Sequence, residues 1–211
     1  MSIIPKLACS LGESSSQANN KLAKEIAASE DRTAVKELVE NLTNKDKRVQ
    51  SDCIKTLYET SYIKPVLIKE YLPAFIELLN SKNNRLVWGS MIAIWKITPF
   101  EHKETFANFE LINKTIKNGS VITIDAGVGI LAELNKFEEY KEKTDPAIEE
   151  ILWNCPIKQL AQYCERILPS ITNSNAELYS ILINKRISEI EKESQAKRLN
   201  KVLSSLKKLQ A

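Results

Sequence analysis

The chain repeats itself at intervals of about 37 residues, and no other feature restricts its fold as strongly. Written in rows of that length, Leu42, Leu79, Ile116 and Trp153 fall in one column, Val49, Leu86, Thr123 and Leu160 in a second, and Leu57, Ile94, Leu131 and Leu168 in a third. Eleven of these twelve positions are apolar in a chain that is 43% hydrophobic, far more than chance would align. A fourth column holds only small residues, Cys53, Ser90, Gly127 and Cys164. It lies four residues after the second column and four before the third, and positions four apart share one face of a helix. Each row therefore presents large, small and large side chains along one stripe, where the small residue lets a neighbouring helix come close.

Each row reads as a first helix, a polar turn and a second helix. The pairs are "TAVKELVENL" with "RVQSDCIKTLYETS", "LPAFIELL" with "RLVWGSMIAIWKI", "FELINKTI" with "VITIDAGVGILAELN", and "PAIEEILW" with "QLAQYCERILPSI". Asn44, Ser81 and Asn118 stand in register in the first three turns, and their side chains can bond free amides at a helix start. Five glycines in 211 residues leave little for hairpins or phosphate-cradling loops, so the expected class is all-α. "TPFEHKE" reads as a connection between rows.

The second helix of the first unit, "VQSDCIKTL", resembles the HEAT repeat, with Val49, Cys53, Thr56 and Leu57 at its apolar and small positions. "LVWGSMIAI", "TIDAGVGIL" and "LAQYCERIL" follow the same pattern in the later units. The resemblance implies an armadillo-like α-solenoid, a right-handed α-α superhelix of about four repeats whose second helices line the concave face. The reading is one domain: an N-terminal cap over 1–30, repeats over 31–171 and a C-terminal helical cap over 172–211. In the caps, Leu22 and Ile26, and then Leu199, Val202, Leu203, Leu206 and Leu209, form the apolar edges. Gln50, Val87, Ile124 and Ala161 stand where HEAT repeats often carry a ladder of arginines, so apolar packing should carry more of the coupling between repeats.

Catalytic motifs are missing from the sequence. It has one histidine, His102, no G-x-x-x-x-G-K-[ST] loop and no nucleophile elbow, and the "GVG" of "DAGVGIL" lies inside a helix with no strand before it. The four cysteines form no C-x-x-C pair, and no stretch is apolar for as many as eighteen residues. The expectations are a non-catalytic cytoplasmic protein with reduced thiols, no cofactor, no metal and no membrane span.

Binding is the class that the rows favour. If Val49, Cys53 and Leu57 face inward, the opposite face holds Ser51, Asp52, Lys55 and Glu59, and their columns run on through Trp88, Asp125, Gly89, Tyr163, Ile92 and Arg166. The partner-binding groove is accordingly expected at Trp88, Ile92, Lys55, Asp125, Arg166 and Tyr163, with Trp88 and Ile92 as apolar anchors of a protein partner. Gly89 would leave room beside Trp88. Trp95, in the column of Tyr58 and Ala132, and Trp153, in the column of Leu42, are expected in the core. The competing partner is nucleic acid, held by Arg48, Arg85, Lys96 and the basic last helices. Alkylpurine DNA glycosylases, a HEAT-like family with a cationic groove, supply an analogy for Trp88, Asp125 and Arg85, without a matching motif. A net charge of +3 is small for such a role.

Overall fold

The computed structural model describes residues 2–210. Among the described residues every regular element is helical: α1 Gln17–Ser29, α2 Arg32–Glu40, α3 Lys47–Ile63, α4 Leu72–Glu77, α5 Asn84–Ile97, α6 His102–Ala107, α7 Phe109–Lys117, α8 Val121–Leu134, α9 Lys141–Asn154, α10 Ile157–Ile167, α11 Asn173–Arg186 and α12 Glu193–Gln210. The paired helices of the four rows are α2 with α3, α4 with α5, α7 with α8, and α9 with α10. A division inside α8 separates two compact units, Met1–Gly127 and Val128–Ala211.

Polar caps set where the second helices begin, although two residues later than the turn column suggests. Asp46 Oδ1 accepts from the Arg48 amide at 2.8 Å and Asn83 Oδ1 from the Arg85 amide at 3.1 Å. Asn44 and Ser81 act one step earlier, accepting from the amides of Asp46 and Asn83 at 2.9 and 3.1 Å, which tightens the turn that aims each cap. Asn118 donates backwards to the Lys114 carbonyl instead, at 2.9 Å.

The connection "TPFEHKE" runs into a helix at its end: α6 starts at His102. Short 3₁₀ turns occupy the corresponding places in the neighbouring rows, at Pro65–Leu67 and Glu138–Tyr140. The first three rows thus carry a third short helical piece, which the apolar spacing did not announce because so short an element shows no clear period.

In the first unit α3 packs between α1 and α5. The small column does what its position implies. Cys53, Ser90 and Gly127 are buried, and a Cβ on Gly127 would stand 2.3 Å from Ile116 Cγ1, on the first helix of the same row. Gly127→Val should therefore cost about 1–3 kcal/mol by overpacking, a loss that urea unfolding would measure. The absent arginine ladder is replaced at one place by a polar link, since Gln50 donates to the Asn44 carbonyl at 2.7 Å and accepts from Asn83 Nδ2 at 3.4 Å.

In the second unit Leu152, Leu160, Cys164, Ile167, Tyr179 and Leu182 form the core with Leu199, Val202 and Leu206 of α12. Asp145 joins α9 to α11, accepting from Tyr179 Oη at 2.6 Å and from Asn175 Nδ2 at 3.0 Å. Trp153 departs from the core position expected for it: it is 39% exposed, and Leu152 is buried in its place. The first helix of the fourth row has slipped by one residue against the 37-residue register, a rotation of about 100° that carries the tryptophan outward. Lys185 Nζ lies 5.7 Å from its ring centroid.

Candidate partner-binding groove

An open groove of about 1400 Å³ lies in the first unit. Its walls are the segment running from Ala8 to Ser16, the N-terminal halves of α3 and α5, and the turn before α5. Two aromatic side chains meet there: the half-buried Trp88 ring sits 5.4 Å from that of Tyr58, inclined at 58°. Tyr58 belongs to one row and Trp88 to the next, so the contact forms only because α3 and α5 pack side by side.

Gly89 makes that approach possible. A Cβ at this position would stand 2.5 Å from Ile54 Cγ1 and 3.4 Å from Tyr58 Cδ1. The residue is buried between the helices and does not leave room beside Trp88, contrary to the sequence-based expectation. The same geometry corrects the column it belongs to. Asp52 is tied to the N-terminal segment, accepting from the Cys9 amide at 2.7 Å and from Asn19 Nδ2 at 2.8 Å. Tyr163, in that column, is 1% exposed within the second unit and offers no surface to a partner.

The remaining expected residues divide. Lys55 lines the groove, with its ammonium 2.5 Å from Glu59 Oε1 and 4.8 Å from the Tyr58 ring centroid. Ile92 is 7% exposed and packs into the first unit, because the turn that follows Trp88 on α5 rotates under cover, so it does not serve as an anchor beside the tryptophan. Asp125 and Arg166 are half-buried and do not line this groove. Trp95 is only half-buried, not core: Lys96 Nζ lies 3.5 Å from its ring centroid and 4.7 Å from that of Tyr62. Trp88→Ala and Trp95→Ala should consequently cost similar, intermediate amounts, about 1–3 kcal/mol each, where a fully buried tryptophan would cost more. Thermal unfolding of the two variants side by side checks this.

Charge around the groove is uneven. Lys47, Arg48, Lys55, Lys82 and Arg85 line it against Glu13 and Asp52. Two of the five cations are committed, Lys55 to Glu59 and Arg48 to Asp46 at 2.8 Å. Lys47, Lys82 and Arg85 are exposed. The repeat carried part of this signal, since Arg48 and Arg85 share a column, but Lys47 and the segment from Ala8 to Ser16 have no counterpart in the rows. The four thiols are free, and burial pushes Cys53 and Cys164 up to about 12, which makes them unreactive packing residues. Among the described residues no group of three or more His, Cys, Asp or Glu is placed to hold a metal ion, and no helix is long and apolar enough to cross a membrane.

Known structures share this arrangement of helices along nearly the whole chain. A designed armadillo repeat protein solved with the peptide (KR)4 superposes with a TM-score of 0.70 at 15% identity, covering 97% of this chain and 100% of its own. The fold is that of an armadillo/HEAT-like α-solenoid. An engineered protein (TM-score 0.68, 18% identity, 99% of this chain and 98% of its own) and an archaeal HEAT-like repeats protein from Thermococcus onnurineus NA1 (TM-score 0.60, 14% identity, 99% and 87%) match the solenoid as well. No family model and no curated protein matches the sequence. At such identities the likeness concerns the solenoid's backbone and not what it binds.

Proposed function

We propose that this solenoid is a non-catalytic scaffold, working in a reducing, cytoplasmic setting, that holds a segment of a protein partner in the groove between the N-terminal segment and α3 and α5. The observation that carries this reading is the half-buried Trp88 on the groove wall, held against the buried Tyr58 and bordered by exposed polar side chains. A half-buried tryptophan in such a place loses little entropy on binding and gains much by desolvation. The groove's volume of about 1400 Å³ exceeds the roughly 300–1,000 Å³ of pockets that enclose small molecules, and its open form suits a chain segment. The designed armadillo protein with its bound peptide lends support, since it puts the same helix-repeat fold to peptide recognition. Trp88 and Lys55 are the expected residues that keep a role in this proposal; it does not extend to Asp125 or Arg166.

A photo-crosslinking residue placed at Ser51, which lines the groove, tests the reading in the source cell. A scaffold gives a crosslink to one defined segment of a partner protein, and Trp88→Ala removes it. Crosslinks that are absent, or that are unchanged by Trp88→Ala, contradict it. Nucleic acid is the competing ligand, and a salt titration separates the two, because binding that tracks phosphates falls steeply as salt rises.

A further inference from the structure

The charge on the groove specifies the chemistry of the segment. We infer that it accepts an acidic stretch of protein chain that sets an apolar side chain on Trp88, which the buried Tyr58 backs, and carboxylates beside Lys47, Lys82 and Arg85; this rests on the scaffold reading above. The three cations stand at the start of α3 and around the start of α5, on exposed side chains. Asp52, one of the two lining carboxylates, already accepts two hydrogen bonds from the N-terminal segment, and Asp46 and Glu59 are paired with Arg48 and Lys55. The donors to Asp52 are neutral and leave its charge in place, so Glu13 and Asp52 together offset two of Lys47, Lys82 and Arg85, and the groove keeps a small surplus of positive charge that an acidic segment would neutralise. The helix ends add to it, because the N-termini of α3 and α5 both border the groove and carry partial positive charge.

A polyanionic backbone fits this surface less well. Tight phosphate tracking draws on roughly six to ten cationic contacts, and here the four exposed cations are interrupted by Glu13, by the Arg48–Asp46 pair and by the Lys55–Glu59 pair. The designed armadillo repeat protein offers a contrast, since it was solved with the basic peptide (KR)4. The same helical frame here carries the opposite requirement.

The test uses the full chain and fluorescence anisotropy with four labelled probes. One is a peptide of about ten residues, aspartate and glutamate flanking a central leucine and phenylalanine; two are its asparagine/glutamine and lysine/arginine counterparts; the last is single-stranded DNA of similar length. The acidic peptide should bind about tenfold more tightly than the neutral one, and Lys47→Glu with Arg85→Glu should abolish that preference. Trp88→Ala should weaken the acidic and neutral peptides alike. Both charge changes lie on exposed side chains, and should either disturb the circular dichroism, Lys47→Gln and Lys82→Gln read the same preference with less disturbance. Equal binding of the acidic and neutral peptides, tighter binding of the basic peptide or of DNA, or indifference to the charge changes overturns the inference. The crosslinking result separates the two levels: a partner segment captured at Ser51 but lacking acidic residues leaves the scaffold standing and removes this proposal.

Discussion

Replacing Asp52 with alanine should destabilise the protein by about 3 kcal/mol and loosen the segment that forms one wall of the groove. The carboxylate holds the Cys9 amide and the Asn19 side chain at 2.7 and 2.8 Å, and Asn19 passes the connection on by accepting from the Ala8 amide at 3.0 Å. Asn19 is buried, so its amide group would find no water to replace the lost acceptor. Hydrogen bonds to a charged acceptor contribute about 1.5–3 kcal/mol each, and the two share one anchor, so their loss adds up to less than the sum. Asp52→Asn keeps one acceptor and should lose about half as much. Thiol labelling supplies an independent reading. The Cys9 thiol is pushed up chiefly by burial and further by its hydrogen bond to Asp52 and that residue's charge. Removing the carboxylate lowers it again, and Asp52→Ala should accelerate modification of Cys9 while Cys53 and Cys164 stay protected in the native state. An unchanged urea midpoint together with an unchanged labelling rate would show that the segment is anchored elsewhere.

Arg186→Met should cost a comparable amount, about 3 kcal/mol, in the second unit. The side chain is 6% exposed and its Nη1 donates to the Leu152 and Cys155 carbonyls at 2.6 and 3.0 Å, closing the C-terminal end of α9. Among the described residues these carbonyls at the helix end receive no backbone amide, and methionine leaves the Leu152 carbonyl only the weak Cys155 thiol donor at 3.6 Å and the Cys155 carbonyl without Arg186. On the outer side Nη2 donates to Glu189 Oε2 at 2.9 Å, and the guanidinium holds that exposed carboxyl below the usual carboxylate range. Glu189→Gln should therefore change stability little, because a partner facing water contributes little to a salt bridge. Arg186→Lys is expected to fall between wild type and methionine, since a single ammonium can serve both carbonyls as Nη1 does but cannot also reproduce the two bonds that Nε and Nη2 make to Glu189. Chemical unfolding of the three variants orders them; a large loss for Glu189→Gln with none for Arg186→Met would reverse the assignment.

Much of the fold was legible because its main device, a helix pair closed around a small residue, recurs at a constant interval. Cys53, Ser90 and Gly127 were recognisable as close-approach positions, and the first of the tightest contacts, Gly127 against Ile116, is between helices of one row. Contacts between rows were less legible. Gly89 looks like free space beside a tryptophan when α5 is considered alone, and becomes the point where α3 comes nearest once Ile54 is in place. Trp153 was misplaced because α9 sits one residue out of the 37-residue register, which rotates the helix and buries Leu152 in the tryptophan's place. The N-terminal segment contributed a wall of the groove without any periodic signal, being held by Asp52 through single polar contacts.

The sequence by itself determined that this chain is a stack of helix pairs, which residues share a face of each helix, and that Trp88 stands on a different face of α5 from the small packing residue Ser90. Only the tertiary structure decided which of those faces stays open. Periodicity orders side chains around one axis, but exposure depends on what the neighbouring helix brings against them, and that is set by small differences in how closely two axes approach. Ile92 and Tyr163 were covered in this way, Trp95 was half uncovered, and Trp88 was set against Tyr58 beside four exposed cations.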